Sequence, residues 1–154
     1  MTPLQNAART ALESCLALRP GESLLVITDE PLRRIAYAFW EEGRILGAES
    51  MLMEMAPRRA HGDEPPALAL EAMKAADVVV CPTSKSLTHT AARRSACAEG
   101  TRVATLPGVT EEMMIRTLTA DYEAIADRTQ RVAAALDNAD AAHLTSPAGT
   151  DIKL

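Results

Sequence analysis

The residues best suited to binding a ligand lie in one polar loop, between a predicted strand and a predicted helix. The loop combines several hydroxyl groups, an ammonium group and an imidazole, on Thr83, Ser84, Lys85, Ser86, Thr88 and His89. Ligands of open parallel sheets bind outside the carboxyl ends of the strands, and the first N–H groups of a helix attract negative charge. These residues are therefore candidates to bind a substrate or a small anion. In the alternative interpretation, Thr88 caps the helix and the other hydroxyls bond nearby backbone groups.

The segment 57–66 is the longest polar stretch without strand or helix periodicity. Its mixed charges and its three prolines predict an ordered surface loop that contacts another surface. The candidates for this loop contact, or for a contact between domains, are Arg58, Arg59 and His61. A solvated connector is the alternative interpretation.

No set of side chains has the spacing of a catalytic or metal site. His61, His89 and His143 are far apart, with no HxH or HExxH motif, and the three cysteines are also widely separated. The sequence has no glycine-rich phosphate-binding motif. Asp29 and Glu30 follow the first predicted strand, and Asp29 is expected to cap the next helix. We therefore expect no catalytic residue, no metal and no cofactor in this chain.

Short apolar segments alternate with segments of helical periodicity. Strands are predicted at 23–28, 50–55, 77–81 and 102–106. Helices are predicted at 3–18, between 29 and 47, and at 66–76, 88–99, 110–119 and 122–136, the last capped by Asp121. The first strand, at 23–28, is an almost continuous apolar run, which is typical of a strand covered on both faces. The pattern predicts a single α/β domain over residues 1–154, with a mainly parallel, doubly wound, Rossmann-like sheet and flanking helices.

Composition argues against several classes of function. The 154 residues are 47% hydrophobic but only 3% aromatic, which favours helices packed on aliphatic strands. A net charge of −5 and the scarcity of aromatic residues argue against nucleic-acid binding. No apolar run reaches the roughly 18 residues of a membrane span, and no signal peptide is visible. We expect a cytoplasmic protein with neither a nucleic acid nor a membrane as partner.

The final residues predict a strand, a turn and a second strand, at 142–146, 147–149 and 150–154. Polar and apolar residues alternate in this last strand, and the sequence stops inside it, on the apolar Leu154, without a closing element. We therefore expect the strand-turn-strand to lead toward a missing second domain. A short natural C-terminal strand is the alternative.

Several segments together resemble one enzyme family. They are GES at 21–23, ITDEP at 27–31, PRRAHGDEPP at 57–66, AMKAADVV at 72–79, PTSKSLTHT at 82–90, PGVTEEM at 107–113 and GTD at 149–151. In order and spacing they are similar to the N-terminal domain of the thermophilic metallo-aminopeptidases (aminopeptidase T, often described as leucyl aminopeptidase). The resemblance implies a dimeric, two-domain hydrolase acting on peptides. Its divalent metal ions (cobalt, zinc or magnesium) would lie in a C-terminal catalytic domain of the same protein.

The residues and the resemblance leave three hypotheses open. In the first, this chain is the non-catalytic N-terminal domain of a metal-dependent aminopeptidase, and its 83–90 and 57–66 loops border the substrate cleft or a contact between domains. This chain alone would then be inactive on peptides. In the second, it is a stand-alone module that binds a small anion or regulates another protein. In the third, it is the N-terminal domain of a related non-haem iron dioxygenase, since ring-cleaving dioxygenases of dihydroxypyridines share the fold that the resemblance implies.

Overall fold

Four parallel strands form the central sheet of the computed structural model, which describes residues 1–154. In chain order the strands are β1 (Ser23–Thr28), β2 (Glu49–Glu54), β3 (Val78–Cys81) and β4 (Arg102–Thr105). They are arranged β2-β1-β3-β4, and every neighbouring pair is parallel. The predicted α/β fold with a parallel sheet is confirmed, and each strand begins and ends within one residue of its prediction.

Five helices accompany this sheet. They are α1 (Pro3–Thr10), which continues as a π-helical turn over Ala11–Cys15, α2 (Arg33–Ile45), α3 (Ala67–Ala75), α4 (Ala91–Ala98) and α5 (Glu111–Thr117). The fourth helix starts three residues later than predicted, because Thr90 and not Thr88 caps it. No helix in the structure combines the length and the apolar character needed to cross a membrane.

Alternate residues of the strands face two separate cores. Leu24 and Val26 of β1 belong to a cluster with residues of α1, α2 and α5, including Phe39. Leu25 and Ile27 belong to a second cluster with residues of α3 and α4. Helices therefore cover both faces of the sheet, which explains why the central strands β1 and β3 are apolar along their length except at the two ends of β1.

The sheet order creates a switch point at the carboxyl ends of β1 and β3. The chain passes from β1 to β2 on one side, and then returns to place β3 on the other side of β1. The loops that follow β1 and β3 consequently leave the sheet in opposite directions. The crevice between such loops is the usual ligand site of doubly wound sheets.

The chain divides into two compact units, residues 1–120 and 121–154. The second unit contains α6 (Tyr122–Asp137) and an antiparallel pair, β5 (His143–Thr145) and β6 (Asp151–Lys153). Asp121 caps α6 as predicted, since its Oδ1 accepts the Ala124 N–H at 3.0 Å. The predicted strand-turn-strand is confirmed. The assignment of residues 1–154 to a single domain stays a prediction.

Candidate functional site

At the switch point, one carboxylate joins the loop after β1 to the loop after β3. Asp29 is only 1% exposed, and its two oxygens accept the backbone N–H of Ser84 at 3.0 and 2.8 Å. One oxygen also accepts the Ser84 hydroxyl at 2.6 Å. The prediction that Asp29 caps the following helix is wrong, because its side chain makes no capping hydrogen bond. Its hydrogen bonds to Ser84 instead compensate the burial of a charge.

A second hydrogen bond reinforces this connection. Thr28 is fully buried, and its hydroxyl donates to the Pro82 carbonyl at 2.8 Å. The bond joins the last residue of β1 to the first residue after β3. The two loops at the switch point are therefore fixed to each other by buried polar contacts.

A cavity of about 390 Å³ opens beside Ser84. Apolar side chains of Leu32, Ile35 and Val109 line it. Arg34 and Glu111 stand at the same cavity and form an ion pair at 3.1 Å. Its volume lies at the lower end of the range of small-molecule sites, roughly 300–1,000 Å³. A cavity of this size and lining can hold a small, largely apolar ring.

The hydroxyls of the 83–90 loop are largely engaged within the protein. Thr83 Oγ1 donates to the Lys85 carbonyl at 2.7 Å. The Ser86 hydroxyl donates to Thr88 Oγ1 at 2.9 Å, and Thr88 Oγ1 shares a hydrogen bond with Thr105 Oγ1 at 2.7 Å. These local hydrogen bonds fix the shape of the loop.

The N-terminus of α4 already has a negative charge beside it. The carboxylate of Glu64 accepts the N–H of Ala91 at 2.5 Å and the N–H of Ala92 at 3.1 Å. Thr90 Oγ1 accepts the N–H of Arg93 at 3.2 Å. The backbone donors that could attract an external anion are thus bound to a side chain of the protein itself.

Two candidate residues of the loop have side chains without a hydrogen bond or an ion pair. Lys85 is half-buried, and His89 is exposed. Lys85 directly follows Ser84, so its ammonium group is an uncompensated positive charge next in sequence to the buried carboxylate contact. The assignment of these residues to a substrate or anion site stays a prediction.

The 57–66 segment contacts the 83–90 loop. His61 Nδ1 accepts the backbone N–H of Ser86 at 3.1 Å, and the Gly62 N–H donates to the Ser86 carbonyl at 2.9 Å. Of the other candidates in this segment, Arg58 donates to the Ala56 carbonyl and Arg59 is exposed. The two polar loops that the sequence singles out therefore lie against each other.

No three His, Cys, Asp or Glu side chains lie close enough together to hold a metal ion. His143 Nε2 lies 2.6 Å from Asp151 Oδ1, across the β5–β6 pair, without a third ligand. Cys81 is fully buried, and burial raises the pKa of its thiol to about 12. A thiol with such a pKa is not a nucleophile near neutral pH.

Comparison with known proteins shows similarity to dioxygenases. A protein-family model described as NicX: 2,5-dihydroxypyridine 5,6-dioxygenase matches residues 3–154. The structure is similar to 2,5-dihydroxypyridine dioxygenase from Pseudomonas putida KT2440, with a TM-score of 0.71 and 22% identity over 99% of this chain and 47% of that chain. Wild-type AmpT from Thermus thermophilus is a weaker match, with a TM-score of 0.47 and 15% identity over 75% of this chain and 41% of that chain. Comparison with curated protein sequences gives no significant match.

These matches correct the expectation of a hydrolase. The prediction of an aminopeptidase is wrong, because the family model that matches almost the whole chain describes a dioxygenase. The likeness to AmpT is too weak to support the peptidase interpretation. The chain spans about half the length of the dioxygenase structure that it resembles.

Proposed function

This chain belongs to the 2,5-dihydroxypyridine 5,6-dioxygenase family, and we propose that it is the N-terminal, non-catalytic part of a ring-cleaving non-haem iron dioxygenase. The observation that carries the proposal is the match of the family model to residues 3–154. The structural similarity to the P. putida dioxygenase supports the fold, and the identity of 22% is too low to support more.

The proposed substrate is a small hydroxylated nitrogen heterocycle of the dihydroxypyridine type. The cavity beside Ser84 has apolar walls suited to the faces of one flat ring. Lys85 follows Ser84 and has no anionic partner, so it is suited to a hydroxyl group or its anion on such a ring. We propose that the 83–90 loop, supported by the 57–66 loop, forms one border of the substrate cleft.

The residues of this chain do not form the iron site that the proposed enzyme needs. A non-haem iron would supply the activation of dioxygen, and its usual site combines two histidines with one carboxylate. No such group of three exists in the structure, and the Nδ1 of His61 is occupied by the Ser86 N–H. The proposed partner is therefore a C-terminal catalytic domain that holds the metal ligands, and a homodimer of the complete enzyme stays a proposal.

A direct test compares three preparations for loss of 2,5-dihydroxypyridine absorbance and for oxygen uptake. The P. putida dioxygenase with Fe(II) is the positive control. We expect no turnover by the 154-residue chain with Fe(II), and turnover when the chain is fused to the portion of the P. putida enzyme that lies outside the structural match. Turnover by the isolated chain would contradict the non-catalytic role, and a folded, iron-loaded fusion that leaves the substrate intact would contradict the dioxygenase proposal.

Substitution of Lys85 tests the proposed border of the cleft in an active fusion. We expect Lys85→Ala to raise KM with little change in kcat, and Lys85→Arg to restore most of the affinity, since both cationic side chains attract an anionic ring. Arg59→Ala, which removes an exposed cation from the neighbouring loop, is the matched control. Equal KM values for all three variants would show that Lys85 does not contact the substrate.

A stand-alone module for a small anion is the second candidate. The unpaired Lys85 favours it, whereas the Glu64 carboxylate at the start of α4 opposes a further anion there. Calorimetry with phosphate, simple carboxylates and nucleotides distinguishes it from the dioxygenase proposal. Binding that is lost in Lys85→Ala would support this module, and the absence of binding would remove it.

A further inference from the structure

The second unit, residues 121–154, has no buried residue at all. Isolated helices of this length are marginally stable in water, because most helical stability in proteins comes from burying one face. A two-stranded hairpin is likewise marginal without a packed face. A segment that consists of one helix and one hairpin therefore needs a surface that covers it.

The helix α6 presents an apolar stripe suited to such a surface. Ile125, Val132 and Leu136 are 42%, 54% and 55% exposed. Together with Thr129 they are spaced four, three and four residues apart, which is the repeat of a helix that packs along another helix. A shallow apolar groove of about 380 Å³ follows this stripe.

Charged residues occupy other positions of the same helix. Asp127 and Arg131 form an i,i+4 ion pair at 3.5 Å, and both are about 70% exposed. Neither residue belongs to the stripe. The helix therefore has one face for water and one face for a partner.

The hairpin of β5 and β6 also has one apolar face and one polar face. Leu144 lies directly opposite Ile152, and they are 59% and 47% exposed. On the other face His143 and Asp151 are linked at 2.6 Å. Both elements of the unit thus carry an uncovered apolar face.

We propose that this apolar surface docks the remaining part of a dioxygenase-family protein, through a partner face that contains an apolar helix. The inference rests on the proposed function. The fold of the P. putida dioxygenase matches 99% of this chain, so the match includes the second unit. More than half of that dioxygenase lies outside the match and is available to cover the equivalent helix. The proposed surface consists of Ile125, Val132, Leu136, Leu144 and Ile152.

The first test uses the 154-residue chain alone. The double variant Val132→Glu/Leu136→Glu charges the stripe, and Gln130→Glu/Ala134→Glu adds the same charge elsewhere on α6 as a matched control. We expect a monomer in sedimentation velocity, fast hydrogen exchange over 125–136, and binding of an apolar dye that the stripe variant loses and the control keeps. A dimer that only the stripe variant dissociates would assign the surface to a second copy and overturn the proposal. Slow exchange in the monomer would overturn it as well, because the stripe would then already be covered.

The second test supplies the partner. The chain is co-expressed with the portion of the P. putida dioxygenase outside the match, so that neither part has to fold alone. We expect the two to copurify, and exchange over 125–136 to slow by at least about tenfold, which corresponds to about 1.4 kcal/mol. The stripe variant should lose both effects and the control should keep them. Equal copurification of the two variants, or none with the unaltered chain, would overturn the proposal.

These readouts are independent of turnover. If the two parts dock but 2,5-dihydroxypyridine is not consumed, the docking proposal is supported and the proposed function is contradicted. If a fusion turns over substrate while residues 125–136 exchange as fast as in the isolated chain, the proposed function is supported and the docking proposal is contradicted.

Discussion

Ser84 donates both its backbone N–H and its hydroxyl to the buried carboxylate of Asp29, 55 residues away in the sequence. The contact spans the switch point of the sheet, where β1 and β3 lie side by side. Because a buried carboxylate requires donors, the position of the loop after β3 is coupled to the first strand. The hydrogen bonds to Asp29 therefore hold the start of the loop that carries Lys85 in place.

Removing this carboxylate should lower stability substantially. We expect Asp29→Ala to lower the free energy of unfolding by about 2–3 kcal/mol, since hydrogen bonds to charged groups are each worth roughly 1.5–3 kcal/mol. Ser84→Ala removes only the hydroxyl and should cost about 1–2 kcal/mol. Urea denaturation followed by circular dichroism measures both values.

Glu30→Ala is the matched control for the Asp29 substitution. Glu30 is the next residue and is exposed, so its replacement should change stability by less than about 0.5 kcal/mol. In a double-mutant cycle, Asp29→Ala and Ser84→Ala should cost less together than the sum of their separate effects. Strict additivity would show that the two side chains do not stabilise each other.

The fold was largely predictable from the sequence because periodicity and turn signals agree along it. The apolar segment at 23–28 and the helical spacing from Leu32 to Leu46 are local patterns, and local patterns place strands and helices. Helix ends were harder to place. Thr88 and Thr90 are both good N-cap residues, and the sequence alone does not distinguish them. In the structure Thr88 forms a tertiary hydrogen bond to Thr105, whereas Thr90 caps α4.

The candidate site was less predictable because its main contacts join distant segments. Asp29 in front of a helix has the pattern of a cap, and nothing near it in the sequence reveals its hydrogen bonds to Ser84. The strand order would have given a signal, because adjacent β1 and β3 bring their following loops together. The contact of His61 with Ser86 likewise depends on how two loops fold over the sheet edge.

At Gly43, α2 lies directly against side chains of β1 and β2, and alanine there should destabilise the protein. A Cβ at this position would overlap the Leu24 side chain and lie 2.6 Å from Ser50 Oγ. Alanine improves helix propensity by about 1 kcal/mol, but overpacking a core costs typically 1–3 kcal/mol, so we expect a net loss of up to about 2 kcal/mol. Thermal and urea unfolding measure the change.

A second substitution tests the cause of this loss. Ser50 Oγ is buried and has no hydrogen-bond partner, so Ser50→Ala should be neutral or stabilising by about 1 kcal/mol. In the Ser50→Ala background, Gly43→Ala should cost less than in the native sequence, because one of the two close contacts is gone. If Gly43→Ala lowered stability equally in both backgrounds, Ser50 would not contribute to the steric clash with the added Cβ.

Stability should fall in acid because of carboxylates at the amino-terminal end of the sheet. The backbone N–H and the hydroxyl of Ser23 donate to Asp77 at 2.8 and 2.7 Å and lower the pKa of Asp77 below its ordinary value of 3.8. The N–H of Arg19, followed by the Arg102 side chain, lowers the pKa of Glu22 below 4.5. A lowered pKa in the folded state gives stability that is fully present above the ordinary pKa and is lost as the pH falls through the lowered value.

We therefore expect the free energy of unfolding to decrease as the pH falls below about 4, and Asp77→Asn to flatten this decrease. Glu112→Gln is the control, because Glu112 is exposed and makes no hydrogen bond. Denaturant titrations at several pH values between neutral pH and acid measure how the free energy of unfolding depends on pH in the native protein and in both variants. If Asp77→Asn and Glu112→Gln gave the same pH dependence as the native protein, the hydrogen bonds from Ser23 would have no electrostatic role in stability.

The three cysteines should separate into two reactive thiols and one inert thiol. Cys15 and Cys97 are exposed, whereas Cys81 is the last residue of β3 and fully buried. Burial raises the pKa of Cys81 to about 12, so both its accessibility and its thiolate fraction are low. A chromogenic disulfide reagent at pH 8 should modify two thiols rapidly, and Cys15→Ser/Cys97→Ser should remove the rapid phase. The third thiol, Cys81, should react only as fast as the sheet opens, so urea should accelerate its labelling. Rapid labelling of Cys81 in the folded double variant would contradict its position in the core.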